Sequence, residues 1–112
     1  MTKIRLITNE DRSFILDMDG HAKSGPYGSD IVCAAESMLS QALLQTLFDM
    51  QEESGWLKVD CTGVAEGGRM RISGKTYRQD VHDAVASCLR MAMTGFRMLE
   101  EKYPDHIKVT EG

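Results

Sequence analysis

The sequence predicts an α+β fold, two helices packed on a mainly antiparallel sheet in the order ββαββαβ. Two observations predict it. Four short runs alternate apolar and polar side chains, the period of a half-buried strand, and two longer runs repeat apolar residues every three or four positions, the period of a helix. At 112 residues the chain holds enough material for one core, so residues 1–112 read as a single domain.

Taken in order, residues 3–8 place Ile4 and Leu6 on one face and form a strand. Asn9 to Arg12 is a turn, and 13–19 alternates again with Phe14, Leu16 and Met18 inward and Asp17 and Asp19 outward, which completes a hairpin. Gly20 to Ser29 holds three glycines, Pro26 and two serines and reads as a flexible loop. Asp30 then stands as N-cap of a helix running to about Met50, with Ile31, Ala34, Ala35, Met38, Leu39, Ala42, Leu43 and Leu47 as its broad apolar face. Residues 56–61 and 69–73 are two further strands around a connection bearing Gly63, Gly67 and Gly68. A second helix opens at Asp80, buries Val81, Val85, Leu89, Ala92, Phe96 and Leu99, and stops at Tyr103-Pro104-Asp105. Gly95 inside it costs about 1 kcal/mol against alanine, which points to close packing on another helix. Ile107 and Val109 make a short last strand. The chain thus reads as two halves, each a hairpin followed by a helix.

Composition narrows the function. The net charge of −4 lacks the basic balance that phosphate binding demands, so no direct nucleic-acid partner is expected. No run approaches the roughly 18 consecutive apolar residues of a membrane span, and residues 1–11 do not resemble a signal peptide, so a cytoplasmic protein without a membrane partner is expected. The three cysteines, at 33, 61 and 88, are an odd count with no CxxC pair; neither a disulfide framework nor a zinc knuckle is expected, and no cofactor or metal is implied.

The segment that carries chemistry is Gly20-His21-Ala22, a loop, then Gly28-Ser29-Asp30-Ile31-Val32-Cys33-Ala34-Ala35. With Asp30 as N-cap, Cys33 falls in the first helical turn, where free backbone N–H groups and the helix dipole favour a thiolate. His21 stands at the mouth of the same loop. An imidazole brought within hydrogen-bond reach would form an ion pair with that thiolate and later protonate a leaving amine. The backbone N–H of Cys33 is the expected oxyanion donor. Residues 22–29, among them Ala22 with Gly25 and Gly28 as hinges, read as a gate over the site. Cys61, ending a strand, and Cys88, on the buried stripe of the second helix, read as structural, and His82 and His106 as surface residues.

The run GHAKSGPYGSDIVCAAES resembles the signature of the ribosomal-processing cysteine proteases, the Prp family: GHA, a short glycine-bearing loop, G-x-DIVCAA and a serine. The tail EKYPDHIKV is similar to the family's last strand. The resemblance implies a catalytic dyad at Cys33 and His21, with Asp30 and Ser37 as supporting residues. It implies as substrate the N-terminal extension of a large-subunit ribosomal protein, twenty-seventh in the naming series, removed during ribosome assembly. It also implies a homodimer.

Two departures from the pattern stand out. Lys23-Ser24-Gly25-Pro26 replaces small and aromatic residues in the loop, and Glu36 occupies an apolar position. Glu36 lies one turn beyond Cys33 on nearly the same face, where a carboxylate would raise the thiol's pKa unless it points away. The rival from another class is therefore a catalytically inert peptide-binding module of the same fold. A redox-sensing thiol protein is a third reading and requires a resolving cysteine near Cys33.

Overall fold

A computed structural model describes residues 1–20, 28–64 and 68–112, with backbone only for 28–30. Strands β1 (Thr2–Thr8), β2 (Ser13–Asp19), β3 (Leu57–Val64), β4 (Arg69–Thr76) and β5 (Ile107–Glu111) and helices α1 (Gly28–Ser54) and α2 (Gln79–Lys102) follow in the order ββαββαβ. The expected fold class stands: two helices on a mostly antiparallel sheet.

The strands line up as β3-β4-β2-β1-β5. Three neighbouring pairs are antiparallel, and β5 joins the edge of β1 in parallel, Ile4 beside Val109. The two hairpins meet through β2 and β4, with Leu16 opposite Ile72. Alternation sorts the faces as the sequence requires: Ile4, Leu6, Phe14, Leu16, Met18, Met70 and Ile72 point into the core. The helices cover that same face. Both edge strands have an N–H held by a helix side chain, Val59 by Gln51 Oε1 at 2.7 Å and Val109 by Glu100 Oε2 at 2.9 Å, which stops two donors from being orphaned.

Helix α2 buries Val81, Val85, Leu89, Ala92 and Phe96 as the period predicts. Met93 joins that face, whereas Leu99 is only half-buried, so the stripe turns slightly from the one expected. Gly95 does mark a close approach: a Cβ built there would lie 2.9 Å from both methyls of Leu39 on α1. At Gly20, φ is +99° and a Cβ would collide with the backbone of Met1. Only glycine fits where the chain leaves β2 for residues 21–27.

Four boundaries differ from the sequence reading. Helix α1 ends at Ser54 rather than Met50. Strands β3 and β4 extend to Val64 and Thr76, so Cys61 sits within a strand rather than ending it. The most consequential shift is at the start of α1, which begins at Gly28. Glycine and serine favour loops, yet both accept helical dihedrals, and an aspartate two residues on complements the dipole of the first turn.

Candidate active site

Because α1 opens at Gly28, Asp30 is its third residue and not its cap, and Cys33 is its sixth. Gly28 is correspondingly a helix residue and not a loop hinge. The carboxylate of residue 30 is thereby in the first turn, where negative charge is favoured. Cys33 lies one turn further on. Its backbone N–H is spent on the carbonyl of Ser29 in the regular helical pattern, so the expected oxyanion donor is not a free amide. In an α-helix the amides without an intrahelical partner are those of its first residues. The dipole fades beyond the first turn, so activation of the thiol falls chiefly to a neighbouring base.

The Cys33 side chain is half-buried and packs against the core beside the fully buried Val32. It is a free thiol, as are Cys61 and Cys88. Ser37, one turn along, is half-buried, and its carbonyl accepts a hydrogen bond from the buried Ser40 hydroxyl at 3.1 Å. His21, Ala22 and Gly25 lie outside the described residues, as does the side chain of Asp30. The structure therefore fixes one member of the expected dyad, the sulfur, and the two chain ends that border the other, Gly20 and Gly28.

Glu36 resolves a question the sequence raises. Its side chain is 5% exposed and reaches the sheet, where Oε2 accepts a hydrogen bond from the Thr2 hydroxyl on β1 at 3.0 Å. Oε1 is buried with no hydrogen-bond partner among the described residues. Burial pushes its carboxyl up to about 7, against the opposing pull of the Thr2 hydroxyl and the positive charge at the amino end of Met1. It is thus poised between neutral and charged forms one turn from the thiol. The sequence marked the residue as anomalous, but its partner lies 34 positions away, where no local pattern points.

The other candidates are peripheral. The Cys61 thiol is pushed up by burial, the opposite of activation. Cys88 is half-buried on α2 rather than enclosed. His82 is partly buried with Nδ1 3.2 Å from the Thr76 hydroxyl, and His106 packs edge-on against Tyr103, so both are more integrated than surface residues. Among the described residues no group of three or more His, Cys, Asp or Glu side chains is arranged to hold a metal ion.

Residues 1–108 match the profile of the family described as cysteine protease Prp. The chain belongs to that family. A ribosomal processing cysteine protease Prp of Staphylococcus aureus (strain Mu50) is 28% identical over 105 residues, which span 92% of each chain. Two crystal structures of the essential ribosomal processing protease Prp from S. aureus share the fold over the whole of both chains. One holds a covalently linked product peptide (TM-score 0.75, 23% identity) and the other a substrate peptide (TM-score 0.76, 22% identity).

Proposed function

We propose that this member of the Prp family is an endopeptidase that removes the N-terminal extension of a large-subunit ribosomal protein, the twenty-seventh in the naming series, with Cys33 as nucleophile and His21 as base. The single observation that carries the reading is a free, half-buried thiol near the start of α1 in a chain that matches the Prp family over residues 1–108. A ribosomal processing role is what the S. aureus relative carries in its name, and a bound peptide is what its crystal structures contain.

In this reaction the Cys33 thiol gives its proton to the His21 imidazole, and the sulfur adds to the scissile carbonyl. As the C–N bond breaks, the imidazolium protonates the departing amine and leaves a thioester on Cys33. Water, deprotonated by the imidazole, attacks that thioester; the carboxylate product departs, and the thiol is restored. Asp30 and Ser37 support the dyad. The enzyme works in the cytoplasm, where ribosomal proteins are made.

It works as a homodimer. Helix α1 is long and apolar enough to cross a membrane by length and composition, yet only 28% of its most apolar window is buried within the chain. Met38 on α1 and Met91 and Met98 on α2 are each about two-thirds or more exposed. An apolar groove between the helices, floored by Leu39, Leu43 and Ala92, continues that surface. A second copy seated there would bury what one chain leaves open.

Mass spectrometry of the protein mixed with a synthetic extension peptide tests the assignment. The wild-type protein cleaves it once, and Cys33→Ala does not. Cleavage by Cys33→Ala would remove Cys33 from the mechanism, and retention of the peptide by the wild-type protein without turnover would establish the binding module instead.

A further inference from the structure

The pleat sorts charge as well as apolarity. Outward from the helices point Lys3 and Arg5 of β1, Asp17 and Asp19 of β2, Arg69, Arg71 and Lys75 of β4, Lys58 and Asp60 of β3 and Lys108 of β5. That open face holds seven of the chain's thirteen Lys and Arg residues but only three of its seventeen Asp and Glu residues. It is therefore net positive by four, and the rest of the molecule net negative by eight, which together give the formal −4. A modest overall charge conceals two faces of opposite sign.

The register arranges the cations in rows across the sheet. Lys108, Lys3, Asp19 and Arg69 form one row, and Arg5, Asp17 and Arg71 the next. Arg69 pairs with both aspartates and Arg71 with Asp17, so the two central carboxylates are neutralised, and Lys75 pairs with Asp11 of the turn between β1 and β2. Lys3, Arg5, Lys58 and Lys108 have no carboxylate within 4.0 Å among the described residues. Lys3 and Lys108 are moreover direct cross-strand neighbours, a like-charge pairing that costs stability unless an anion lies over it.

We propose that this open sheet face is a docking surface for the phosphate backbone of double-helical RNA. The proposal rests on the ribosomal processing reading for its choice of RNA, since such a protease meets its substrate where ribosomal protein and RNA come together. Charge complementarity carries the rest. The strands' outward side chains include no aromatic ring, the exposed Trp56 and Tyr77 lying just beyond the ends of β3 and β4 beneath Arg78 and Lys75, and their only exposed large aliphatic group is Val64 at one corner. Ammonium and guanidinium groups spread across a sheet suit backbone contact.

The test uses the full-length protein and a fluorescein-labelled 16-base-pair RNA duplex, followed by fluorescence anisotropy between 50 and 200 mM salt. Four phosphate contacts predict a loss of about 100-fold in affinity across that range. Lys3→Glu/Lys108→Glu weakens binding at least tenfold. Arg90→Glu/Lys102→Glu makes the same change of net charge on the helical side and alters binding less than twofold. Cleavage of the free extension peptide is measured alongside, because it reads the protease assignment separately and stays within twofold in both variants. Absence of duplex binding at 50 mM salt, equal losses in the two double variants, or tighter binding to phosphatidylglycerol vesicles than to RNA would overturn the proposal, whether or not peptide is cleaved.

Discussion

Glu36→Gln is the substitution whose consequence follows most directly from the structure. The Glu36 carboxyl has an ordinary value of 4.5 in the unfolded chain and about 7 in the folded one, chiefly because burial penalises its charge. Below pH 4.5 the group is protonated in both states and costs nothing. Between the two values the unfolded chain ionises it and the folded chain does not, so the folded state binds more protons and unfolding is favoured as pH rises. Above pH 7 both states are ionised and the penalty is constant. The stability lost across that window is at most roughly 3 kcal/mol, which in a domain of this size is about 13 °C in Tm. Glutamine keeps an acceptor for the Thr2 hydroxyl but cannot ionise.

The assay is thermal unfolding followed by circular dichroism at pH 5, 6, 7 and 8 for both proteins. Other groups titrate over this range or below it; Asp11, held below the usual carboxylate range chiefly by the Ser13 hydroxyl, contributes in the opposite sense at lower pH. The difference between wild type and variant cancels them. That difference in Tm should widen in the variant's favour from pH 5 to pH 8. A difference that does not change with pH would show that Glu36 is already ionised or well solvated at pH 5, and would refute the burial argument.

Three further outcomes are expected. His21→Ala should lower peptide cleavage by roughly two to four orders of magnitude with little change in Tm, as for loss of a general base; a rate within threefold of wild type would exclude His21 from proton transfer. Iodoacetamide followed by peptide mapping should alkylate Cys33 before Cys61, whose thiol is pushed up by burial; equal rates at both would contradict an activated sulfur. Gly74→Ala should destabilise by about 1–3 kcal/mol in urea unfolding, because the new methyl would stand 2.5 Å from the Phe14 ring and 2.9 Å from the Lys58 carbonyl oxygen. Gly95→Ala meets only the methyl ends of Leu39 and gains helix propensity, so it should stay within about 1 kcal/mol of wild type. Similar costs at the two glycines would mean that these contacts relax equally.

The order of elements, the inward faces of the first hairpin and most of that of α2, and the signature around Cys33 were legible in the residues, because period and motif are local properties of the chain. Helix α1 began earlier than its best capping residue suggested, because Gly28 and Ser29 tolerate helical as well as loop dihedrals and neighbouring packing makes the choice. What Glu36 does was not legible: its anomaly showed in the pattern, but its burial and its bond to Thr2 arise only when α1 is laid across β1. Nor could the sequence place β5 in parallel beside β1, since pairing partners are chosen across the whole molecule. Charge followed the same division. The count of −4 was a sum available from composition, whereas its separation into a basic sheet face and an acidic remainder required five strands to be set side by side in register.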